Sequence, residues 1–326
     1  MDRISVIIPT YNNAPWLERS LDSVISQTYS NIEIIVVNDG SSDNTREVLN
    51  AYVEKNPGIK VIHKENGGVT SARLQGIAEA TGEWIGFMDA DDYVDSRMYE
   101  QLLKNACSCG ADISHCAHRV CFPDGRIERV HATGKIEVQE SETGLKALLN
   151  NEIEGSLCLK LYHRKLFNKL EQWMDHTIRN NEDFLMNYYL FSRADTTVFE
   201  GTDYYHYILR RGSASYSGAN EHSIFDPIRA RRIILERCPL EMKDTARSSL
   251  MRNLLFAYAQ VTTDRNWRNL GDFRNRIRSQ LKEEQIHFHL LSLRNRVLAN
   301  MVCNAPWLFH IAYKAYVAVW QRQEQH

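Results

Sequence analysis

Three carboxylates within four residues, Asp89, Asp91 and Asp92, follow directly on the apolar run Trp84-Ile85-Gly86-Phe87-Met88. The run has the length of a buried strand. The carboxylates are therefore expected where that strand leaves its sheet, and ligands of open α/β sheets bind at the carboxyl ends of strands. Asp89 and Asp91 stand two apart, so on a strand they would share a face. Oxygen ligands so spaced suit a hard divalent cation that also holds phosphate. The same residues read equally as a solvated acidic turn with Asp92 capping a helix.

The elements needed to position this stretch precede it. Ser5-Val6-Ile7-Ile8, ended by Pro9, reads as a buried parallel strand, and Glu33 to Val37, Lys60 to His63 and the Trp84 run repeat the pattern. Between them Leu17, Leu21, Val24 and Ile25, then Val48, Leu49 and Tyr52, then Leu74, Ile77 and Ala78 recur at helical spacing. Asn13 and Pro15 mark the start of the first helix. Strand alternating with helix predicts an α/β fold, a mostly parallel sheet with helices on both faces. Tyr11, Asp39, Arg73 and Asp89 would then reach one edge, where a ring, carboxylates and a guanidinium suit a nucleotide base, ribose and pyrophosphate. Neither GxGxxG nor GxxxxGK[ST] is present, so the diphosphate is expected to be held through a metal.

Composition bounds the class. The chain has 326 residues, 43% of them hydrophobic and 25% charged, as in a soluble globular protein of one large or two ordinary domains. A net charge of −2 predicts no bulk nucleic-acid affinity. The charge is divided: residues 218–326 carry 17 Lys+Arg against 10 Asp+Glu, and residues 1–217 carry 22 against 31. Asp2 and Arg3 run straight into a strand, so no secretory leader is read. No stretch reaches the roughly 18 apolar residues of a membrane span. Seven cysteines without a leader imply reduced thiols and a cytoplasmic protein, and the cluster Cys107, Cys109, Cys116 and Cys121 fits no paired CxxC zinc pattern.

Pro9-Thr10-Tyr11-Asn12, Val37-Asn38-Asp39-Gly40-Ser41-Ser42-Asp43, Asn66-Gly67-Gly68 with Ser71-Ala72-Arg73, and Met88-Asp89-Ala90-Asp91-Asp92 occur in this order. Together they resemble the family 2 glycosyltransferases of GT-A fold, specifically over residues 1 to about 110 and more weakly to about 215. Cys158-Leu159-Lys160-Leu161-Tyr162-His163-Arg164 is similar to that family's Lys-Leu-Tyr-Arg-Arg segment, and Asn181-Glu182-Asp183-Phe184 to its acceptor-side motif. The resemblance implies an inverting, metal-dependent transfer of one sugar from a UDP-sugar to a glycan or lipid-linked hydroxyl in capsule or exopolysaccharide synthesis. Pro9, Tyr11, Asp39, Arg73, Asp89 and Ala90 would bind the nucleotide sugar, Asp91 would ligate Mn²⁺ or Mg²⁺, and Asp183 would be the general base. Lys160, Glu182, His206 and Arg211 are candidate acceptor or diphosphate contacts.

Other readings stand beside these. Asp183 could merely complement a helix dipole, Glu182 is its rival as base, His206 among tyrosines suits a packed, hydrogen-bonded ring, and Tyr11 could be core. The Gln-x-x-Arg-Trp motif and membrane spans of processive synthases are absent from the sequence. The alternative function is a catalytically weak sugar-nucleotide-binding protein of the same fold serving as an assembly partner. The resemblance implies a division into a GT-A domain, 1–217, and a helical region, 218–326. In the latter, Pro306 to Trp320 is apolar nearly all round and suits packing on the body, a homodimer contact or a membrane surface.

Overall fold

The computed structural model describes residues 2–210, 218–264 and 266–323, with side chains to residue 315. β1 (Ile4–Thr10) has every residue buried. It pairs in parallel with β2 (Ile32–Asp39) on one side and β4 (Trp84–Phe87) on the other, and β2 pairs in parallel with β3 (Ile59–Lys64). Strands covered on both faces need apolar side chains at successive positions, which is why Val6-Ile7-Ile8 and Ile34-Ile35-Val36-Val37 are unbroken runs. The first strand, expected to stop at Pro9, instead continues through it, with Pro9 opposite Val37. Met88 N–H donates to the Ile7 carbonyl, so alternate residues of β1 turn their polar groups toward β4; that ladder ends at Ile7–Phe87, and the N–H that Pro9 lacks has no ladder partner to miss.

The intervening helices are α1 (Ala14–Ile25), α2 (Thr45–Lys55) and α3 (Val69–Glu79). α1 buries Leu17, Leu21 and Val24 from one stripe. α3 lies very close to β1: a Cβ on Gly76 would stand 2.4 Å from Ile7 Cγ2, so only glycine permits the approach. That contact sets the height of Arg73, one turn earlier on the same helix.

Beyond β4 the chain forms β5 (Tyr93–Val94), α4 (Met98–Cys109), β6 (Ile113–Cys121), β7 (Ile127–Val130), β8 (Ile136–Glu140), α5 (Ser141–Leu149), β9 (Lys160–His163), α6 (Glu182–Phe191) and β10 (Thr196–Ile208). The ten-stranded sheet runs β3-β2-β1-β4-β9-β6-β10-β5, with β7 paired to β6 and β8 to β10. β9 is antiparallel to both neighbours, and β10 runs parallel to β6. These strands extend the four-strand parallel half and bring the ends of β4 and β10 together.

Met1–Tyr216 and Ser217–His326 are separate compact units. The second consists of α7 (Glu221–Arg237), α8 (Lys243–Thr263), α9 (Gly271–Glu283), α10 (Leu293–Asn304) and α11 (Pro306–Gln323), with short 3₁₀ turns between. Asn220 and Ser223 close a capping box on α7. Ile224, Leu250, Leu254, Val261, Ile277, Ala299 and Phe309 form its core. Among the described residues no helix is long and apolar enough to cross a membrane. All seven cysteines are free thiols.

Candidate active site

The loops after β1, β2 and β3 are knit by side chains. Asp39, at the end of β2, is buried. Its Oδ1 accepts from Lys64 Nζ at 2.6 Å and Gly67 N at 2.9 Å, and its Oδ2 from Gly68 N at 2.8 Å. Gly68 caps α3 at φ +85°, a conformation that costs glycine little. A carboxylate has about four acceptor directions, so Oδ2 keeps capacity for one further donor. Asn12 Oδ1 accepts from Ser42 N at 2.8 Å, and Ser41 Oγ accepts from Asn12 N at 3.0 Å, which ties the first loop to the second. Tyr11, between them, is 49% exposed and is no core residue. Pro9 lies buried within β1 just before this loop.

The acidic stretch is a turn. β4 ends at Phe87, and Asp92 N–H closes on the Asp89 carbonyl at 3.1 Å. Strand alternation therefore does not set the relation of Asp89 to Asp91, contrary to the expectation from spacing. Asp92 faces inward, accepting from Tyr205 Oη at 2.7 Å and Ile208 N at 2.8 Å. Burial, then the Asp89 and Asp91 charges, push its pKa well up. Ala90 is buried. Asp91 Oδ2 accepts from Arg210, at 2.7 Å from Nη2 and 2.9 Å from Nε. Arg210 also donates to Asn13 Oδ1 and lies 3.8 Å from the Trp16 ring centroid. The Asp91 pKa is raised by burial and then by Asp89, with Arg210 opposing.

Two close carboxylates with mutual repulsion fit a divalent cation. Among the described residues no group of three or more His, Cys, Asp and Glu could hold a metal by itself. Mg²⁺-like ions commonly take only one or two carboxylates and complete their shell with substrate phosphates and water. Asp89 and Asp91 would be the protein ligands of such an ion.

The other wall comes from α6. Asn181 adopts φ +68° and turns the chain so that Glu182 and Asp183 occupy the first helical turn. Glu182 Oε1 accepts from Arg73 Nη1 at 2.6 Å, and Arg73 Nη2 lies 3.4 Å from Asp89 Oδ1. Arg73 is 4% exposed. Burial opposes its charge, but Glu182 and then Asp89 outweigh that and hold it firmly protonated. Among the described residues no cation pairs with Asp183 in this way. It accepts from Phe184 N at 2.7 Å, and its pKa is pushed up to about 7, by burial first and by Glu182 second, with Arg73 opposing.

Arg73, Asp89, Asp183, Glu182 and Tyr205 line one cavity of about 570 Å³ with His118, Glu154, Arg179 and Tyr207. The last four and Tyr205 were missed as site residues by sequence reasoning. Arg179 and Tyr207 flank motifs that were read, whereas His118 and Glu154 carry no local signal. A cleft of about 550 Å³ near the start of β4, walled by Glu83, His163 and Asn168, gathers none of these carboxylates.

Three further candidates sit elsewhere. Lys160 is fully buried, donates to the Glu154 and Ser156 carbonyls, and has its pKa lowered to about 8 by burial. It supports the cavity's 154–156 rim from within. His206 stacks on Tyr93 at 4.1 Å and bonds Asp95 through Nε2 at 3.0 Å, as a packed ring does. Arg211 lies outside the described residues.

A profile of glycosyl transferase family 2 matches residues 5–171. An uncharacterized glycosyltransferase, EpsJ, of Bacillus subtilis is 36% identical over 195 residues, 59% of this chain and 57% of that protein. The glycosyltransferase GlyA of Streptococcus pneumoniae is 30% identical over 252 residues, 74% of this chain and 36% of its own length. The chain thus spans about half or less of the curated relatives it matches. The crystal structure of S. aureus TarS residues 1–349 in complex with UDP superposes with a TM-score of 0.71 at 19% identity, covering 99% of this chain and 92% of that one. At that identity the likeness carries the fold, which is GT-A-like.

Proposed function

The chain belongs to glycosyl transferase family 2, and from that premise we propose that it moves one sugar from a UDP-sugar to a hydroxyl of a glycan or lipid-linked acceptor, with inversion. The observation that carries this reading is Asp183, a carboxylate with a pKa near 7 in the same cavity as Asp89. Relatives named as glycosyltransferases and the UDP complex of the TarS neighbour support the donor class.

Asp183 accepts the proton of the acceptor hydroxyl as its oxygen bonds to the anomeric carbon. The bond from that carbon to the diphosphate breaks on the opposite face, and the electron pair leaves on UDP. One positioned base and no carboxylate nucleophile give inversion. Arg73 donates to Glu182 and so turns it away from this role, and joins the acceptor wall to the donor-side Asp89. A Mn²⁺ or Mg²⁺ ion at Asp91 and Asp89 supplies charge neutralisation at the leaving diphosphate when bound. Asp39 Oδ2 is the acceptor available for the N3–H of uracil, and Tyr11 is exposed for stacking on the base.

The test is a panel of UDP-sugars screened by thermal shift and by UDP release with Mn²⁺. Release with one donor, abolished by Asp183→Asn without loss of UDP affinity, is expected. UDP binding without release from any donor would favour the assembly-partner reading, and release that Asp183→Asn leaves unchanged would place the base elsewhere.

A further inference from the structure

α11 faces water with an apolar surface. Phe309 turns inward against Tyr258 at 5.2 Å and stacks on Tyr313, while His310 lies on Trp267 at 4.5 Å. Lys314 sets its ammonium 4.2 Å from the same indole centroid. Over these turns the solvent side consists of Trp307, Leu308, Ile311, Ala312 and Ala315. The first three are 66%, 40% and 59% exposed. A helix face in water is ordinarily polar, and this one has no polar side chain. α10, packed directly against α11, adds exposed Leu293 and Val297 with the exposed basic Arg294.

Charge identifies the occupant. From Gln285 to Gln323 the sequence contains no Asp or Glu, against Arg294, Arg296, Lys314 and Arg322. A second copy docked on the same face would bring two acid-free basic segments together. An anionic bilayer surface answers both features, because a tryptophan-bearing apolar helix face seats at the acyl boundary while nearby cations meet acidic headgroups. We infer that the outer face of α11, with α10 beside it, docks the protein on an anionic membrane surface. The helix lies in the interface rather than across it, in keeping with its length and hydropathy.

The full chain is tested by flotation with vesicles of phosphatidylglycerol in phosphatidylcholine against phosphatidylcholine alone. Binding to the anionic vesicles, falling with added salt, is expected. The double substitution Trp307→Glu with Ile311→Glu lies at exposed positions, so thermal unfolding should be unchanged while vesicle affinity drops at least about tenfold. Arg294→Gln should weaken binding roughly fivefold. Three outcomes overturn the inference: no binding to either vesicle, equal binding by the double variant, or a concentration-dependent dimer that the double variant dissolves. The last would give the face to a second copy.

Discussion

Asp183 and Glu182 are sequence neighbours with opposite electrostatic fates. Glu182 has the Arg73 guanidinium at 2.6 Å, and Asp183 takes the desolvation with no paired cation among the described residues. A base must be ionised before transfer, so kcat/KM should fall as pH drops below about 7. Asp183→Asn should lower kcat by about 10²–10⁴-fold and leave UDP affinity unchanged in calorimetry. Glu182→Gln separates the two carboxylates more sharply. It removes the anion that raises Asp183 and leaves Arg73, which lowers it, so the acid limb should move to lower pH while transfer persists. An acid limb that stays in place would show that Glu182 does not tune Asp183; a dead Glu182→Gln beside an active Asp183→Asn would exchange their roles. At the donor side, UDP affinity should depend on Mn²⁺, and Asp91→Ala should abolish that dependence. Equal UDP affinity in EDTA would rule out the metal at Asp91.

At the scale of elements, what the sequence revealed follows the physics of each. β1 to β4 were legible because strands buried on both faces need unbroken apolar runs, and α1 because its buried residues recur at the helical period. β7 and β8 were not, since Ile127-Glu128-Arg129-Val130 and Ile136-Glu137-Val138-Gln139-Glu140 are mostly exposed and carry no buried-strand signal. Arg73–Glu182 joins residues 109 apart in the chain, a distance at which periodicity says nothing, and Asp183 was singled out only by family resemblance. The position of Arg73 depends on α3 lying against β1. Gly76→Ala should therefore destabilise by about 1–3 kcal/mol through overpacking on Ile7, seen as a lowered Tm. The loop after β3 hangs on Asp39, which accepts from Lys64, Gly67 and Gly68. Asp39→Ala should weaken UDP by about 1–3 kcal/mol. It should also narrow the preference for UDP over CDP, since neutral cytosine has no N3–H to donate. Weaker binding of both nucleotides with the full preference retained would leave Asp39 a loop-holding role alone.

At the scale of the molecule, charge and chemistry are divided between the two units. Every residue assigned to the donor or the acceptor wall lies in Met1–Tyr216, the acidic part. Ser217–His326 has its own apolar core from α7 to α11 and carries the basic excess. The sequence changes charge near the same point, from 22 Lys+Arg against 31 Asp+Glu over residues 1–217 to 17 against 10 over residues 218–326. A domain with its own core can fold alone. A fragment ending at residue 217 should accordingly unfold cooperatively and bind UDP with Mn²⁺ as the full chain does. The measurements are circular dichroism on heating and calorimetry on the two proteins side by side. The fragment lacks the α11 face, so it should also stay off anionic vesicles. Two observations would contradict this division: a fragment that melts without a transition, which would make the helical unit part of the first unit's fold, and a fragment that folds but binds UDP more weakly, which would place a donor contact beyond residue 217.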